Sequence, residues 1–282
     1  MLAMEVARRL GDVELISGDS MQVYRGMDIG TAKPAAAEQE EVPHHLLDVA
    51  EPGEDFSVAR FQTAVAEALA GIEDRGHRAL MVGGTGLYVQ AVVDGLVLPG
   101  EWPDLKAELK SQPPADLHRQ LHEADPLAAS RIEPGNTRRL VRALEVTIGS
   151  GRPFSSFGPG VGTYPRTTRF RLAGVWLPRP VLAARIQARY RDQMEAGFLD
   201  EVRRLQGVMS RTARQALGYR ELLDHLAGAC SLDDAVARAV ARTRQFARRQ
   251  RAWFRRDPRI TWFGTPQNPV DLLPALLGDW ST

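Results

Sequence analysis

The stretch VELISGDSMQVYRGMDIGTAKP, residues 13–34, joins a short apolar run to a crowded polar loop. VELIS (13–17) has the composition of a strand. Behind it come Asp19, Ser20, Gln22, Tyr24, three glycines and Lys33-Pro34. So many polar groups and helix breakers are more than a plain connector needs. A strand that ends in an acid on such a loop is where α/β folds place their chemistry, because ligands bind at the carboxyl ends of parallel strands. The alternative for Asp19 is an Asx-turn, with the carboxylate bonded to nearby backbone amides. From the residue alone both remain open. Ser20 and Gln22 add hydrogen-bonding groups and Tyr24 adds a stacking face, a combination suited to a nucleobase edge.

Working outward, LAMEVARRL (2–10) has helical spacing and stops at Gly11. HLLDVA (45–50) reads as a second strand and 57–75 as an amphipathic helix capped by Ser57. RALMVGG (78–84) is apolar on both faces, as a buried parallel strand would be, and a helix begins at Gly86. Strand, loop and helix alternate, which argues for a parallel sheet. From 103 to 150 the pattern is helical throughout, and 151–169 is a loop rich in Gly, Pro and Ser. RFRLAGVWL (169–177) returns to strand character. Helices follow over 179–206, 212–228 and 231–256, with a frayed tail. The expected organisation is an α/β core over residues 1–100 and 169–282, helical in its C-terminal part. A mostly helical insertion fills 101–168.

Composition narrows the function classes. With 44% hydrophobic residues the 282-residue chain is ordinary for a globular protein. It contains no apolar run long enough for a membrane span and no signal-peptide pattern. The single cysteine, Cys230, permits no internal disulfide and suits a reducing cytoplasm. Net charge is only +1, but the distribution is uneven. Eight arginines and no acid lie between Val236 and Arg256. That stripe is either a phosphate or nucleic-acid footprint or a solvated helix face.

Other motifs carry two readings each. VGGTGLY (82–88) sets Gly83, Gly84 and Gly86 around Thr85 between a strand and a helix. It either turns backbone amides toward a polar ligand or is simply a tight turn. His44 and His45 are adjacent on a strand and point to opposite faces, so packing is favoured over a shared metal. His118 and His122 lack an HExxH pattern and read as a surface pair. Arg138 and Arg142 share a helix face, which fits phosphate contacts or plain surface charge. Gln215, Gly218, Tyr219 and Arg220 stand at a loop-to-helix junction. There Gly would allow close approach, and Tyr with Arg would suit RNA. Thr243, Phe246, Gln250 and Trp253 form one helical stripe that should be buried.

Taken together these segments resemble the tRNA dimethylallyltransferases, also called tRNA isopentenyltransferases. The resemblance rests on DSMQVYRGMDIGTAKP (19–34), VPHHLLDV (42–49), FSVARF (56–61), VGGTGLY (82–88), RRLVRALEV (138–146), QMEAGFLDEV (193–202), GYRE (218–221) and TRQFARRQRAWFR (243–255). They follow the family's order along nearly the whole chain. The resemblance implies a P-loop-NTPase-like fold whose helical insertion contacts the anticodon stem-loop. It also implies transfer of a dimethylallyl group from dimethylallyl diphosphate to N6 of the adenosine 3′ of the anticodon, in tRNAs reading codons that begin with U. Asp19 matches the general base, a role an ionised Asp fills without a raised pKa. Asp19, Ser20, Met21 and Gln22 match positions at the flipped adenosine. Thr85, the run Arg138, Arg139, Leu140, Val141, Arg142, and the run Gln215, Ala216, Leu217, Gly218, Tyr219, Arg220 match tRNA contacts. Arg220, Arg244 and Arg248 are the candidates for holding the diphosphate, a load Mg²⁺ would share. The implied partners are tRNA and dimethylallyl diphosphate, and the implied protein is a cytoplasmic monomer.

The family pattern also contains a strand and a GPTxxGKS phosphate loop ahead of a helix like LAMEVARRL. No G-x-x-x-x-G-K-[ST] occurs in this sequence, so no metal ligand is identifiable from it. The expectations are a downstream start assignment or a fragment, and a chain that, as written, binds tRNA without catalysis. An adenine-nucleotide prenyltransferase is the further alternative, against which the tRNA-matching Arg segments weigh.

Overall fold

Strand β1 (Val13–Ser17) is buried along its whole length, the charged Glu14 included. In the computed structural model, which describes residues 2–158 and 160–280, it is the middle strand of a three-stranded sheet. Strands β2 (His44–His45) and β3 (Arg78–Val82) flank it, both parallel to it, in the order β2-β1-β3. Parallel neighbours need crossovers. Helix α2 (Ala36–Glu41) lies between β1 and β2, and α3 (Val58–Asp74) between β2 and β3. Helix α1 (Leu2–Leu10) packs Met4 and Ala7 against Val13, Leu15 and Val42. Ser57 caps α3 as expected, its hydroxyl accepting from Arg60 N at 3.3 Å.

Glu14 can be buried because its carboxylate is saturated. Arg75 binds it through two nitrogens at 2.8 and 2.7 Å, and His45 Nε2 and His77 Nδ1 lie 2.6 and 2.8 Å away. The Arg75 bonds lead in holding its pKa down to about 2. His44 instead places Nδ1 2.7 Å from the Val42 carbonyl. The two neighbouring histidines therefore serve packing on separate partners.

Several elements depart from the sequence reading. HLLDVA is not a six-residue strand: β2 ends at His45, and Leu46 and Asp48 have φ of +64° and +55°. The turn carries Asp48 to Lys33, whose ammonium donates to Asp48 Oδ1 at 2.6 Å and to the Tyr24 carbonyl at 2.9 Å and also pairs with Asp28. Strand β3 is parallel as expected but not buried, with Val82 44% exposed. Its only strand neighbour among the described residues is β1. The frayed tail in fact holds a strand, β5 (Thr261–Gly264), parallel to β4 (Ala173–Trp176), and a last helix over Leu273–Trp280.

The chain forms two compact units, Met1–Val93 with Arg166–Thr282, and Asp94–Pro165. In the first, α4 (Gly86–Val93), α5 (Arg179–Glu195), α6 (Phe198–Leu205), α7 (Tyr219–Leu226) and α8 (Leu232–Phe254) complete the fold. The single helix expected over 179–206 is broken at Gly197, where φ is +95°. Its core mixes loop and helix: Val23, Tyr24 and Met27 from the 17–34 stretch cluster with Phe61, Tyr190, Phe198 and Tyr219.

The second unit is helical: α9 (Pro103–Lys110), α10 (Pro114–Ala124), α11 (Pro126–Arg131) and α12 (Thr137–Ser150) close on Leu109, Leu117, Leu121, Leu140 and Leu144. It begins before the expected residue 101 because the connector packs on α12. Arg142 donates to the Pro99 and Gly100 carbonyls at 2.9 and 3.0 Å, and Trp102 N donates to buried Glu145 at 2.9 Å. Buried Asp125 caps α11 through Ala128 N at 3.0 Å and accepts Ser155 N at 2.7 Å.

The packing of the loop has a direct test at Gly30. A Cβ there would lie 2.1 Å from the Phe198 ring and 2.5 Å from that of Tyr219. Gly30→Ala should therefore cost about 1–3 kcal/mol through overpacking. Urea unfolding should show a lower midpoint at unchanged slope. A midpoint equal to that of the parent chain would mean the loop does not pack as described.

Candidate active site

Two loops leave the parallel sheet side by side and touch backbone to backbone. Gly18 N donates to the Val82 carbonyl at 2.7 Å, and a Cβ on Gly83 would sit 2.3 Å from Gly18 O. Only glycine allows that approach. The contact sets the hydroxyl of Thr85, at the end of β3, 3.3 Å from that of Ser20, at the end of β1, and 3.4 Å from Ser20 N. The other glycines of VGGTGLY are explained by α8. Gln250 donates to Gly84 O at 2.9 Å, and Trp253 covers Gly86, so a side chain at either glycine would collide. The tight-turn reading accounts for the glycines, and Thr85 supplies the motif's polar side chain on the site.

Asp19 lies on the first of these loops, between Gly18 and Ser20, which both meet the second. Its Oδ1 accepts Met21 N at 2.8 Å, so the Asx-turn is present. The turn fixes the direction of the carboxylate and does not by itself exclude a functional role. Burial pushes the Asp19 pKa above the ordinary carboxylate value, against the pull of the Met21 and Gln22 amides and of the Arg189 charge. The Asp19 carboxyl is thus shifted, where the sequence reading called for no shift; a carboxylate with a raised pKa is a stronger proton acceptor. Tyr88, whose phenol feels the Asp19 charge, is pushed up to about 12, chiefly by its own burial. Arg189, exposed on α5, was not singled out in the sequence. The available signal was its place one turn before Gln193 at the start of the QMEAGFLDEV run.

Several residues read from the sequence as ligand contacts are occupied in holding the fold. Tyr24 is fully buried and offers no stacking face. Tyr219 is fully buried as well, with its hydroxyl on the Glu201 carboxylate. Gly218, at φ +87°, lies under the Phe198 ring, and Ala216 is buried while Leu217 is half-buried. Gln22 spends its amide inside the loop: Oε1 accepts the Ser17 hydroxyl at 2.8 Å, and Nε2 donates to the Thr31 and Ala32 carbonyls at 3.1 and 3.2 Å. Met21 is half-buried beside Asp19.

The arginines divide in the same way. Arg220 and Arg248 are exposed, while Arg244 makes only long contacts of 3.5 Å to Ala183 O and Gln187 Oε1. Arg242 is committed to Glu221 at 2.7 Å and to the Gln215 carbonyl. In the second unit Arg138 and Arg139 are exposed, Leu140 and Val141 are core, and Arg142 is tied to Glu145 at 3.1 Å. The stripe on α8 is buried at Thr243, which bonds the Tyr190 hydroxyl at 2.9 Å. Phe246, Gln250 and Trp253 are only half-buried. Arg249, Arg251 and Arg256 lie over the Phe246, Trp176 and Trp253 rings.

An acid just past a parallel strand, with the Ser20 and Thr85 hydroxyls brought together on the two loops, is the arrangement of an α/β enzyme site. The sequence model of the IPP transferase family matches residues 22–257. The chain belongs to that family. It is 43% identical to the tRNA dimethylallyltransferase of Bifidobacterium animalis subsp. lactis, over 98% of this chain and 80% of that one. It is 47% identical to that of Kineococcus radiotolerans, over 94% and 85%. The full-length tRNA isopentenylpyrophosphate transferase of Bacillus halodurans superposes with a TM-score of 0.70 at 37% identity, over 99% of this chain and 90% of that one. A eukaryotic dimethylallyltransferase acting on tRNA superposes with a TM-score of 0.81 at 26% identity, over 99% and 75%.

Burial of Asp19 fixes the sign of a pH effect. With its folded-state pKa above the unfolded value, the native state is favoured by this group at low pH, and that contribution is lost as pH rises through the folded pKa. The ¹³C signal of the Asp19 carboxyl should therefore titrate above about 3.9. Asp19→Asn should raise stability near neutral pH and leave it unchanged below both pKa values. A carboxyl titrating at or below the ordinary value would contradict the burial described.

Proposed function

We propose that this chain transfers the dimethylallyl group of dimethylallyl diphosphate to N6 of the adenosine 3′ of the anticodon in tRNAs reading codons that begin with U. The observation that carries the reading is Asp19, half-buried, aimed by its own loop and next to Ser20, whose hydroxyl meets that of Thr85. In the reaction the N6 lone pair forms a bond to C1 of the allyl group. The C1–O bond breaks, and the diphosphate leaves with its electrons. The amine loses its proton to the Asp19 carboxylate as the C–N bond forms. A base so placed contributes about 10²–10⁴-fold. Because N6 is otherwise held within the anticodon-loop stack, the base must be turned out to reach Asp19. Ser20, Met21 and Thr85 stand where it would arrive.

The departing diphosphate needs cations. Arg220, Arg244 and Arg248 are exposed guanidinium groups with few internal commitments, and Arg189 is the one whose charge acts on Asp19. Among the described residues no cluster of three His, Cys, Asp or Glu side chains could hold a metal alone. A Mg²⁺ ion would be held chiefly by phosphate oxygens and water, which is how Mg²⁺ usually binds, and would neutralise the leaving group. Arg138 and Arg139 are exposed cations of the second unit that could meet RNA phosphates. Among the described residues no helix is long and apolar enough to cross a membrane. The same reading makes the protein a cytoplasmic monomer, for which the single Cys230 is in keeping.

The test uses the purified 282-residue chain with dimethylallyl diphosphate, Mg²⁺ and a tRNA carrying adenosine at that position. Nucleoside mass spectrometry should find dimethylallyladenosine, and Asp19→Asn should reduce its formation about 10²–10⁴-fold. Retention of tRNA without product would instead support a noncatalytic binder. Product on free adenine nucleotide but not on tRNA would support a nucleotide prenyltransferase. Arginines that meet RNA phosphate should each lower the salt slope of tRNA binding by about one when replaced by Ala. Those on the diphosphate should raise its KM and leave that slope alone.

A further inference from the structure

The loop that presents Asp19 is held from behind by two side chains on neighbouring helices. Glu201, on α6, is 1% exposed. Its Oε2 accepts Asp28 N at 3.0 Å and Ile29 N at 2.8 Å, its Oε1 accepts Gly30 N at 3.1 Å, and Tyr219 donates its hydroxyl to the same Oε1. Gln193, on α5, donates Nε2 to the Ile29 and Gly30 carbonyls at 2.6 and 3.2 Å. A carboxylate accepting three backbone amides is a strong, directional anchor.

The anchored segment connects to the base through bonds of its own. Thr31 and Ala32, next in the chain, offer their carbonyls to Gln22 Nε2. Gln22 Oε1 accepts from Ser17, and Ser17 Oγ accepts Asp19 N at 3.4 Å. Asp19 in turn receives Met21 N. Hydrogen bonds joined by short stretches of chain therefore link the buried helices to the Asp19 backbone, and the Met21 amide completes the link to its carboxylate. We propose that Glu201 and Gln193 are positioning residues for Asp19: they fix the far half of the 17–34 loop so that its near half holds the carboxylate in its aimed, desolvated seat. The inference rests on Asp19 being the base of the proposed reaction, but its first readout does not require turnover.

That readout is the titration of the Asp19 carboxyl, followed by ¹³C NMR in the full chain, in Glu201→Gln and in Gln193→Met. The groups facing Asp19 are Arg189 from α5 and the Tyr88 phenol from α4, and neither is altered. Freed from its seat, Asp19 gains solvent, so its midpoint should fall toward the ordinary carboxylate value. The acid limb of kcat/KM for transfer should move down with it. kcat should drop about ten- to a hundredfold through misplacement of the base, with KM for tRNA within about twofold of the parent. A purely structural role would lower the melting temperature without moving the Asp19 titration in the folded variants, and that result would overturn the proposal. Should Glu201→Gln fail to fold, Gln193→Met decides, since Met is close to Gln in length and fills its space while removing the amide that donates to the loop. A Gln193→Met chain that does not fold would also overturn it, because the contact would then be a requirement of the fold. If the parent chain transfers nothing, the proposed function fails, and the titration still reports on the positioning.

Discussion

Irregular backbone that is buried must have its N–H and C=O groups satisfied by something other than a helix or a sheet. The 17–34 loop is under that constraint. Val23, Tyr24 and Met27 are fully buried in the main core, so the loop cannot lie on the surface and let water complete its hydrogen bonds. Side chains do it instead. Glu201 takes three amides, Gln193 and Gln22 each serve two carbonyls, and the Lys33 ammonium takes the Tyr24 carbonyl between two aspartates. Each of these side chains would be costly to bury alone, and each is buried with partners. The polar crowding of the sequence is therefore first a solution to folding.

Function then uses what that solution leaves over. Asp19 is one polar group of the loop whose environment works against its charged form, and its burial outweighs the two backbone amides and Arg189. Glu14, one strand turn earlier, is buried more deeply, yet Arg75 and two histidines hold its pKa low. The two carboxylates on β1 and just beyond it differ in the number of cations and donors that meet them. One is a strut of the sheet, and the other retains the capacity to take a proton.

What could be read from the sequence follows the same physics. Amphipathic helices and the short apolar strands β1 and β3 declare themselves through periodicity, and so does the change to helix after residue 100. Asp19 was legible because an acid ending a strand is unusual. Leu46 and Asp48 were not, because a left-handed turn at two non-glycine residues is imposed by the distant Lys33 and leaves no local mark. Strand β5 is four residues long and finds its order only by pairing with β4. Tyr24 and Tyr219 have the composition of RNA contacts, but their burial is decided by Phe61, Phe198 and Glu201, which lie far off in sequence. The likeness of QMEAGFLDEV to the family was visible, but the task of Gln193 and Glu201 within it appears only when α5 and α6 meet the loop.

The arginines show why charge patterning alone underdetermines an interface. Arg142 and Arg139 belong to one short run on one helix, yet Arg142 closes the connector onto its unit through Pro99, Gly100 and Glu145, while Arg139 faces solvent. On α8, Arg242 is spent on Glu221 and the Gln215 carbonyl, and Arg248, less than two turns on, is exposed. A guanidinium already paired with a carboxylate would have to lose that partner to meet a phosphate, and an exposed one loses only water. The preference for phosphate therefore falls on the unpaired members of each run. A basic stripe of eight becomes a smaller set of competent contacts, selected by which carboxylates the fold has placed within reach.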